Sequence, residues 1–559
     1  MDWSRSPSAT RPNLSAVLDR LSIAIQRRVA IDPRALAAFR IAIGTLLILD
    51  LALRARNLGT FYTDAGVLPL RALFSDYSPV YSLHAISGAA WVQALLFAVA
   101  GAFALALLLG YRTRLATIVS WLLLLSLHAR NPMVLNSGDT LLRMLLFWGM
   151  FLPLGREWSI DARRLETTRG GEDGTVDETR EPVTDESGPS AGDSDDESGM
   201  SVPGIVSVPT MAILLQVQLM YLTNAVHKTR SDKWMGGDAV VHIFQADHLT
   251  ILLGDVLADQ HALLELFTYA WIAVILLSPL LLLLTGVWRA AFASVVIGMH
   301  LGMATTLQIG LFPLISVGAL LLFYPPVVWE TATALATRIG IAAPLRRGLD
   351  RLQRTAPRVP LPDAPAVPAA TDLPATTRTA IETTASRSRV LFSTVIPWLL
   401  LVLVVLSNAE AVDYADVPEV GDEVLETVNA DQSWRMFAPN PTSTTRWLVA
   451  PADLEDGSQV DAFGGGEVDW DRPPSADELY DTARERKYVS NMRYADNENH
   501  RSYFANYLCD RWNRSHETGL ENVTIYGLTD NAGPYDDEPD IAKYKKIEYD
   551  CSGPFVQNG

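Results

Sequence analysis

The chain has 559 residues, 49% of them hydrophobic, and a net charge of −18 from 63 Asp and Glu against 45 Lys and Arg. That acidic excess speaks against nucleic-acid binding, and the absence of a phosphate loop, a G-x-S-x-G elbow and an H-E-x-x-H pair removes the commonest nucleotide, esterase and zinc-protease chemistries. Two cysteines, Cys509 and Cys551, are too few for a cysteine-rich metal scaffold.

Residues 1–30 lack the uninterrupted apolar core and small-residue cleavage site of a signal peptide. Over 14–29, Leu14, Val17, Leu18, Leu21 and Ile25 share one helical face, opposite Asp19, Arg20, Gln26, Arg27 and Arg28, which predicts an interfacial helix within a cytoplasmic segment 1–33. Asp32-Pro33 then reads as an N-cap and first-turn proline. Apolar runs near 35–53, 89–110, 114–130, 140–154, 209–226, 267–285, 290–308, 311–328 and 390–409 predict about nine transmembrane helices. The expected fold class is thus an all-α polytopic membrane domain with a C-terminal extracytoplasmic α+β or β-rich domain.

Basic residues fall in alternate loops: Arg27, Arg28 and Arg34; Arg112 and Arg114; Arg156, Arg163 and Arg164; Arg289; and the arginine-rich stretch 338–389. By the positive-inside rule these loops and the N-terminus are cytoplasmic, and 54–88, 130–139, 226–266 and the C-terminus face outside the cell membrane. The membrane domain covers 34–330 and carries an acidic, Gly/Ser-rich cytoplasmic loop at 166–201 that cannot offset its ordering entropy. A basic, then Pro/Thr/Ala-rich linker, 331–389, leads to the last helix at 390–410. Residues 411–559 alternate short apolar segments with turn signals and form the external domain. Their acidity and the scarcity of lysine suit a halophilic source, where salt screens charge repulsion; an ordinary acidic external domain reads the same way.

Cys509 and Cys551 both fall outside the membrane, so they are disulfide candidates, with two buried thiols as the alternative. Asn513 and Asn522 head glycosylation triplets on the same side.

The richest stretch is YLTNAVHKTRSDKW, 221–234. Only six lysines occur in the chain, and the two before residue 480, Lys228 and Lys233, sit here. Gln216, Thr223, Asn224 and His227 follow helical spacing beside Lys228, and a polar face within a span turns toward the bundle interior or a water-filled cavity. Two readings stay open: a cavity mouth carrying His227 and Lys228, or a lysine that snorkels to anchor the helix end. His300 lies in the apolar core of the seventh run, as a cavity or packing residue. Asp139 and Arg143, four apart, form a candidate ion pair. His227, His242, His248 and His261 match no ligand spacing, so no metal is expected.

FYTDAGVLP (61–69), SLHARNP (126–132), the run from NSGDTLLR through FLPLG to WSID (136–161), YLTNAVHKTRSDKW and WRMFAPNP (434–441) together resemble the HTTM-domain membrane proteins, which are related to the vitamin K-dependent gamma-carboxylases. The resemblance covers residues 30–330 and, more loosely, the external domain. It implies a lysine that deprotonates a reduced naphthoquinone for reaction with O2, and Lys228 occupies the matching position. A partly desolvated lysine suits that task as a neutral amine base. Where the carboxylases carry the histidine of an Asn-Asn-His-Ser stretch, this chain has Gly138, which speaks against full glutamate carboxylation. Two functions follow as expectations. One is an enzyme that oxidises a membrane naphthoquinol such as reduced menaquinone, with Lys228 and His227 catalytic and Gln216, Asn224, His300, Arg143 and Asp139 lining the site. The other is a non-catalytic membrane scaffold that presents the external domain. The bilayer and a membrane quinone are the expected partners.

Overall fold

The computed structural model describes residues 14–77, 80–172, 204–355, 391–427, 430–442, 444–473, 480–536 and 538–557. Residues 1–13, most of the acidic loop expected at 166–201 and the Pro/Thr/Ala-rich part of the linker lie outside the described residues.

A helix occupies each of the nine apolar runs. After the amphipathic α1 (Leu14–Val29) come α2 (Pro33–Arg56), α3 (Ala90–Leu109), α4 (Thr113–Arg130), α5 (Ser137–Gly149), α6 (Val208–Thr229), α7 (His261–Leu276), α8 (Gly286–Thr306), α9 (Phe312–Leu320), α10 (Pro326–Arg338), α11 (Ala342–Thr355) and α12 (Ile396–Glu410). The start of α2 is as expected: the Asp32 side chain accepts from Arg34 N at 2.8 Å, with Pro33 at the first turn.

The membrane count differs from expectation. Among the described residues, α2, α3 and α8 are long and apolar enough to cross a bilayer, and 312–323 with 326–338 makes one further unit bent by 103°. Nine crossings are not reached. The reason is length and polarity: α5 has 13 residues, about 20 Å at 1.5 Å per residue against a hydrocarbon core of about 30 Å. α6 has 22 residues, but buried Gln216, Gln218, Thr223, Asn224, His227 and Lys228 reduce its apolar character. Large apolar side chains are nonetheless exposed on α3 and α8, among them Trp91, Leu95, Trp288 and Val287.

The C-terminal domain is α+β. Its sheet is antiparallel, with β1 (Thr445–Val449), β2 (Pro451–Leu454), β3 (Gln459–Asp461), β4 (Leu520–Asp530) and β5 (Ile541–Asp550). β4 is the spine: its C-terminal half pairs with β1, its N-terminal half with β2, and β5 runs along its other edge. Helices α13 (Ala483–Tyr494) and α14 (Asn499–Ser515) accompany the sheet. Cys509 in α14 is disulfide-bonded to Cys551 just past β5, so the cross-link candidate is formed. Asn513 is exposed on α14, whereas Asn522 is half-buried within β4.

This domain sits on one end of the bundle. A single apolar cluster joins Phe61, Tyr62, Met133 and Val134 of the bundle loops to Trp447, Tyr488 and Met492 of the domain. Polar contacts follow the same boundary: Tyr77–His500 (2.9 Å), Tyr503 to Asp76 (2.9 Å), Asn491 to Met133 O (2.9 Å) and Arg472 to Asp247 (2.6 Å). At the opposite end Asp161 accepts from the backbone N–H groups of Arg112 and Thr113, and Arg289 donates to Arg28 O.

Candidate functional site

α6 is set by a capping box, in which Ser207 and Thr210 bond each other's backbone, followed by Pro209 in the first turn. That start fixes where its polar side points, and the target is the end of α12 and the chain that returns after it. Gln216 Nε2 donates to Gln432 Oε1 at 2.6 Å, and Thr223 donates to Asn408 Oδ1 at 3.0 Å. Asn224 Nδ2 donates to Trp434 O (2.9 Å) and Met436 O (3.2 Å), and His227 Nε2 donates to Ser433 O (3.2 Å). Trp234 Nε1 completes the set on Phe437 O at 2.7 Å. The motifs at 221–234 and 434–441 are thus one interlocked unit. Trp434 and Phe437 have φ of 48° and 52°, left-handed values that cost an L-residue of order 1–3 kcal/mol each and persist only where surroundings over-determine them. The clamp supplies that constraint.

Lys228 lies off this polar face, two residues beyond the apolar run 209–226, and is 1% exposed. Its Nζ stands 3.4 Å from the Trp234 ring centroid and 5.7 Å from that of Trp271. Among the described residues it makes no ion pair. Burial alone therefore pushes its amine well below the ordinary lysine range.

Lys228 lines a cavity of about 270 Å³. Tyr221, Trp271, Phe312 and Phe437 give it aromatic walls, and Asn224, Ser137 and His300 add polar atoms. His300 Nδ1 donates to Val296 O at 2.9 Å, which leaves Nε2 as an acceptor toward Tyr221 Oη at 3.5 Å. The outer rim carries Arg435, Arg486 and Lys487, and no carboxylate lines the cavity. With no acid beside it, Arg486 is lowered by burial to about 10.

A second cavity of about 210 Å³ shares Asn136, Gly138 and Phe312 with the first. Its wall is an ion network. Asp139 accepts from Arg54 at 2.5 Å and Arg484 at 2.9 Å; Asp50 accepts from Arg54 at 2.7 Å and also from Arg484. His128 Nε2 is 3.6 Å from Asp139. The NSGD segment builds this locally, because Asn136 and Asp139 form the capping box that opens α5 and aims the Asp139 carboxylate inward. Flanking guanidinium groups hold Asp139 far below the usual carboxylate range despite burial, and the two carboxylates hold Arg484 well above its own.

The structure therefore gathers Lys228, Asn224 and His300 at one cavity and puts Asp139 on the wall of its neighbour. It does not bring the rest. Gln216 is tied to Gln432, and His227 to the Ser433 carbonyl, so neither reaches the Lys228 cavity. The expected Asp139–Arg143 pair is replaced: Asp139 has stronger partners from α2 and α13, and Arg143 Nη1 lies 3.4 Å from His128 Nδ1. Sequence reasoning missed Tyr221, Trp271, Ser137, Arg54 and Arg484. The arginine rim could have been suspected from the R-E-R-K run at 484–487, placed in a domain otherwise dominated by acids.

A Cβ on Gly138 would lie 2.9 Å from Asn136 Oδ1 and 3.1 Å from Phe312 Cα, so any larger residue here would have to displace the Asn136 cap or α9. No protein-family model, curated protein or solved structure matches the chain.

Proposed function

We propose that this chain is a polytopic membrane enzyme of the HTTM-like class that oxidises a reduced naphthoquinone, such as menaquinol, with O2, using Lys228 as the base. One observation carries the reading: a buried lysine without a counter-ion on the wall of an aromatic, ring-sized cavity. A neutral amine in such a place accepts a proton, and the same burial keeps bulk water from a reactive oxygenated product. A volume of about 270 Å³ lies just below the range of ordinary ligand sites, ~300–1,000 Å³, so it takes a bicyclic headgroup while the prenyl tail stays outside. Quinol and O2 give quinone epoxide and water in balance. The O–O bond breaks, one oxygen bridges two ring carbons, and the other leaves as water with the two hydroxyl hydrogens, the first removed by Lys228 Nζ. The absence of a histidine at position 138 argues against a coupled glutamate carboxylation.

The topology proposed with this function is nine crossings, the shorter helices spanning by mutual packing, with the N-terminus cytoplasmic and the C-terminal domain outside. Support comes from the partition of the ends: the loops at 54–77, 131–136 and 245–250 lie under the C-terminal domain, while Arg28, Arg112, Arg163 and Arg289 gather at the other end. A second reading, a non-catalytic scaffold, is favoured by the buried network that fastens Arg484 of the external domain to Asp50 and Asp139 of the bundle. Purified protein given reduced menaquinone and O2, with epoxide followed by mass spectrometry, separates the two. Epoxide from the parent and none from Lys228→Ala is the expected result. A folded, quinone-loaded parent that forms no epoxide would sink the enzyme reading and leave the scaffold.

A further inference from the structure

At the end of the bundle away from the C-terminal domain, a cavity of about 600 Å³ opens between α1, the start of α8 and the turn at 324–327. Three arginines line it: Arg27 and Arg28 from α1, and Arg289 from α8. Arg289 is 5% exposed. Its Nη1 donates to Arg28 O at 3.1 Å, but Nε and Nη2 are buried without any hydrogen-bond partner. Orphaned guanidinium donors are expensive, since each carries the desolvation penalty of a charged group. The Nε–Nη2 edge is also the fork that meets two oxygens of a phosphate or carboxylate at once. Among the described lining residues the one acid, Asp32, is already held by Arg34 at 2.8 Å, while Arg28 and Arg289 both face the cavity.

The surroundings select the ligand. Val287 and Trp288 are 67% and 76% exposed beside Arg289, and Leu283 is 57% exposed one turn earlier. On α1, Leu18, Leu21 and Ile25 leave an apolar face uncovered. A charged cavity opening between bare apolar helix surfaces, with a tryptophan at its edge, fits a molecule with an anionic head and hydrocarbon chains.

We propose that this cavity binds the phosphate of an anionic phospholipid, with Arg289 as the bidentate ligand, Arg27 and Arg28 closing over the head, and the acyl chains lying along α8 beside Trp288. The site is separate from the Lys228 cavity and does not depend on its chemistry. α1 thereby becomes a strap pinned by lipid rather than by protein contacts alone.

The test uses the full chain, delipidated in detergent and titrated with phosphatidylglycerol or phosphatidylcholine, with bound lipid counted by native mass spectrometry. One phosphatidylglycerol is expected to bind in clear preference to phosphatidylcholine. Arg289→Gln should weaken that binding about fivefold, the effect of about 1 kcal/mol per arginine at a lipid surface, and leave phosphatidylcholine unchanged. Arg27→Gln and Arg28→Gln, on the surface helix, should each do the same and carry the test if Arg289→Gln does not fold. Arg514→Gln, at the far end, should have no effect. Equal binding of the two lipids, or parent-like phosphatidylglycerol binding by the variants, overturns the proposal. Tight, arginine-dependent capture of inorganic phosphate with no preference between the lipids would assign the site to a soluble anion and overturn it equally.

Discussion

Replacing Lys228 with methionine should make the protein more stable and, under the proposed function, abolish epoxide formation. The two side chains are similar in length, and the lysine is 1% exposed with no carboxylate partner. Holding an ammonium there has an effective desolvation penalty of several kcal/mol, and the rings of Trp234 at 3.4 Å and Trp271 at 5.7 Å return only about 2 kcal/mol as cation–π contacts. Desolvation wins, so the native state favours the neutral amine and prefers a thioether to an ammonium. The expected gain for Lys228→Met at neutral pH is about 1–4 kcal/mol, by analogy with buried charges exchanged for apolar groups.

The pH dependence gives the sharper check. The folded amine titrates below the unfolded one, whose value is about 10.4. Between those two values the unfolded chain binds a proton that the folded chain does not, so parent stability falls as pH drops from about 10 toward the folded value. The gap between Lys228→Met and parent should therefore widen as pH is lowered through that window. Thermal unfolding by tryptophan fluorescence in detergent, run from pH 6 to 10, reads both effects. A variant at least 1 kcal/mol less stable than the parent at pH 7 would refute the reasoning, because it would make Lys228 a charged anchor rather than a base.

Arg484→Met removes one cation from a buried set in which Asp50 and Asp139 balance Arg54 and Arg484; about 3–5 kcal/mol should be lost, with the C-terminal domain freed for limited proteolysis near 411–430. Parent-like resistance to a glutamate-specific protease, which can cut after Glu419, Glu423 and Glu426, would show that the network does not fasten the domain. Asn224→Ala leaves the carbonyls of Trp434 and Met436 without their shared donor, at about 1–3 kcal/mol, and should raise the quinol KM by loosening the cavity roof; an unchanged KM counts against the clamp. Cys509→Ser opens a cross-link with a sequence separation of 42, which should destabilise the domain by about 2–4 kcal/mol, seen as a lower unfolding midpoint without reductant and no difference from the parent with it. Below about pH 4 the domain contact should weaken: Asp139 is held low in the fold, so its contribution is complete above the unfolded carboxylate value and fades as pH falls toward the folded one.

The helices could be read because each apolar run declares itself locally. The Cys509–Cys551 pair followed from there being two cysteines on one side. The site was legible only in part. Helical spacing placed Gln216, Asn224 and His227 on one face, and polar residues on a buried face were expected to line a cavity. Asn224 does line one, but all three also hydrogen-bond a chain segment some 206–216 residues away, a distance over which periodicity carries no information. Lys228 was marked by its rarity, yet its aromatic surroundings came from α7, α9 and the 434–437 turn. The Asp139–Arg143 reading failed for the same reason: an i,i+4 partner is visible in sequence, whereas Arg484, 345 residues distant, is not. The crossing count was the least legible part, because apolar composition does not give length: α5, with 13 residues, cannot reach both interfaces by itself.

The interlock between α6 and the turn at 433–437 has a consequence for how the protein is made. Ribosomes deliver α6 some 200 residues before the segment that roofs its lysine, and that segment follows the last membrane helix. Until the C-terminal domain has folded back onto the bundle, the Lys228 cavity stands without Arg435, Met436, Phe437, Arg486 and Lys487. A half-synthesised chain therefore lacks one wall of the cavity around Lys228, and that wall arrives only with the segment after α12 and the C-terminal domain.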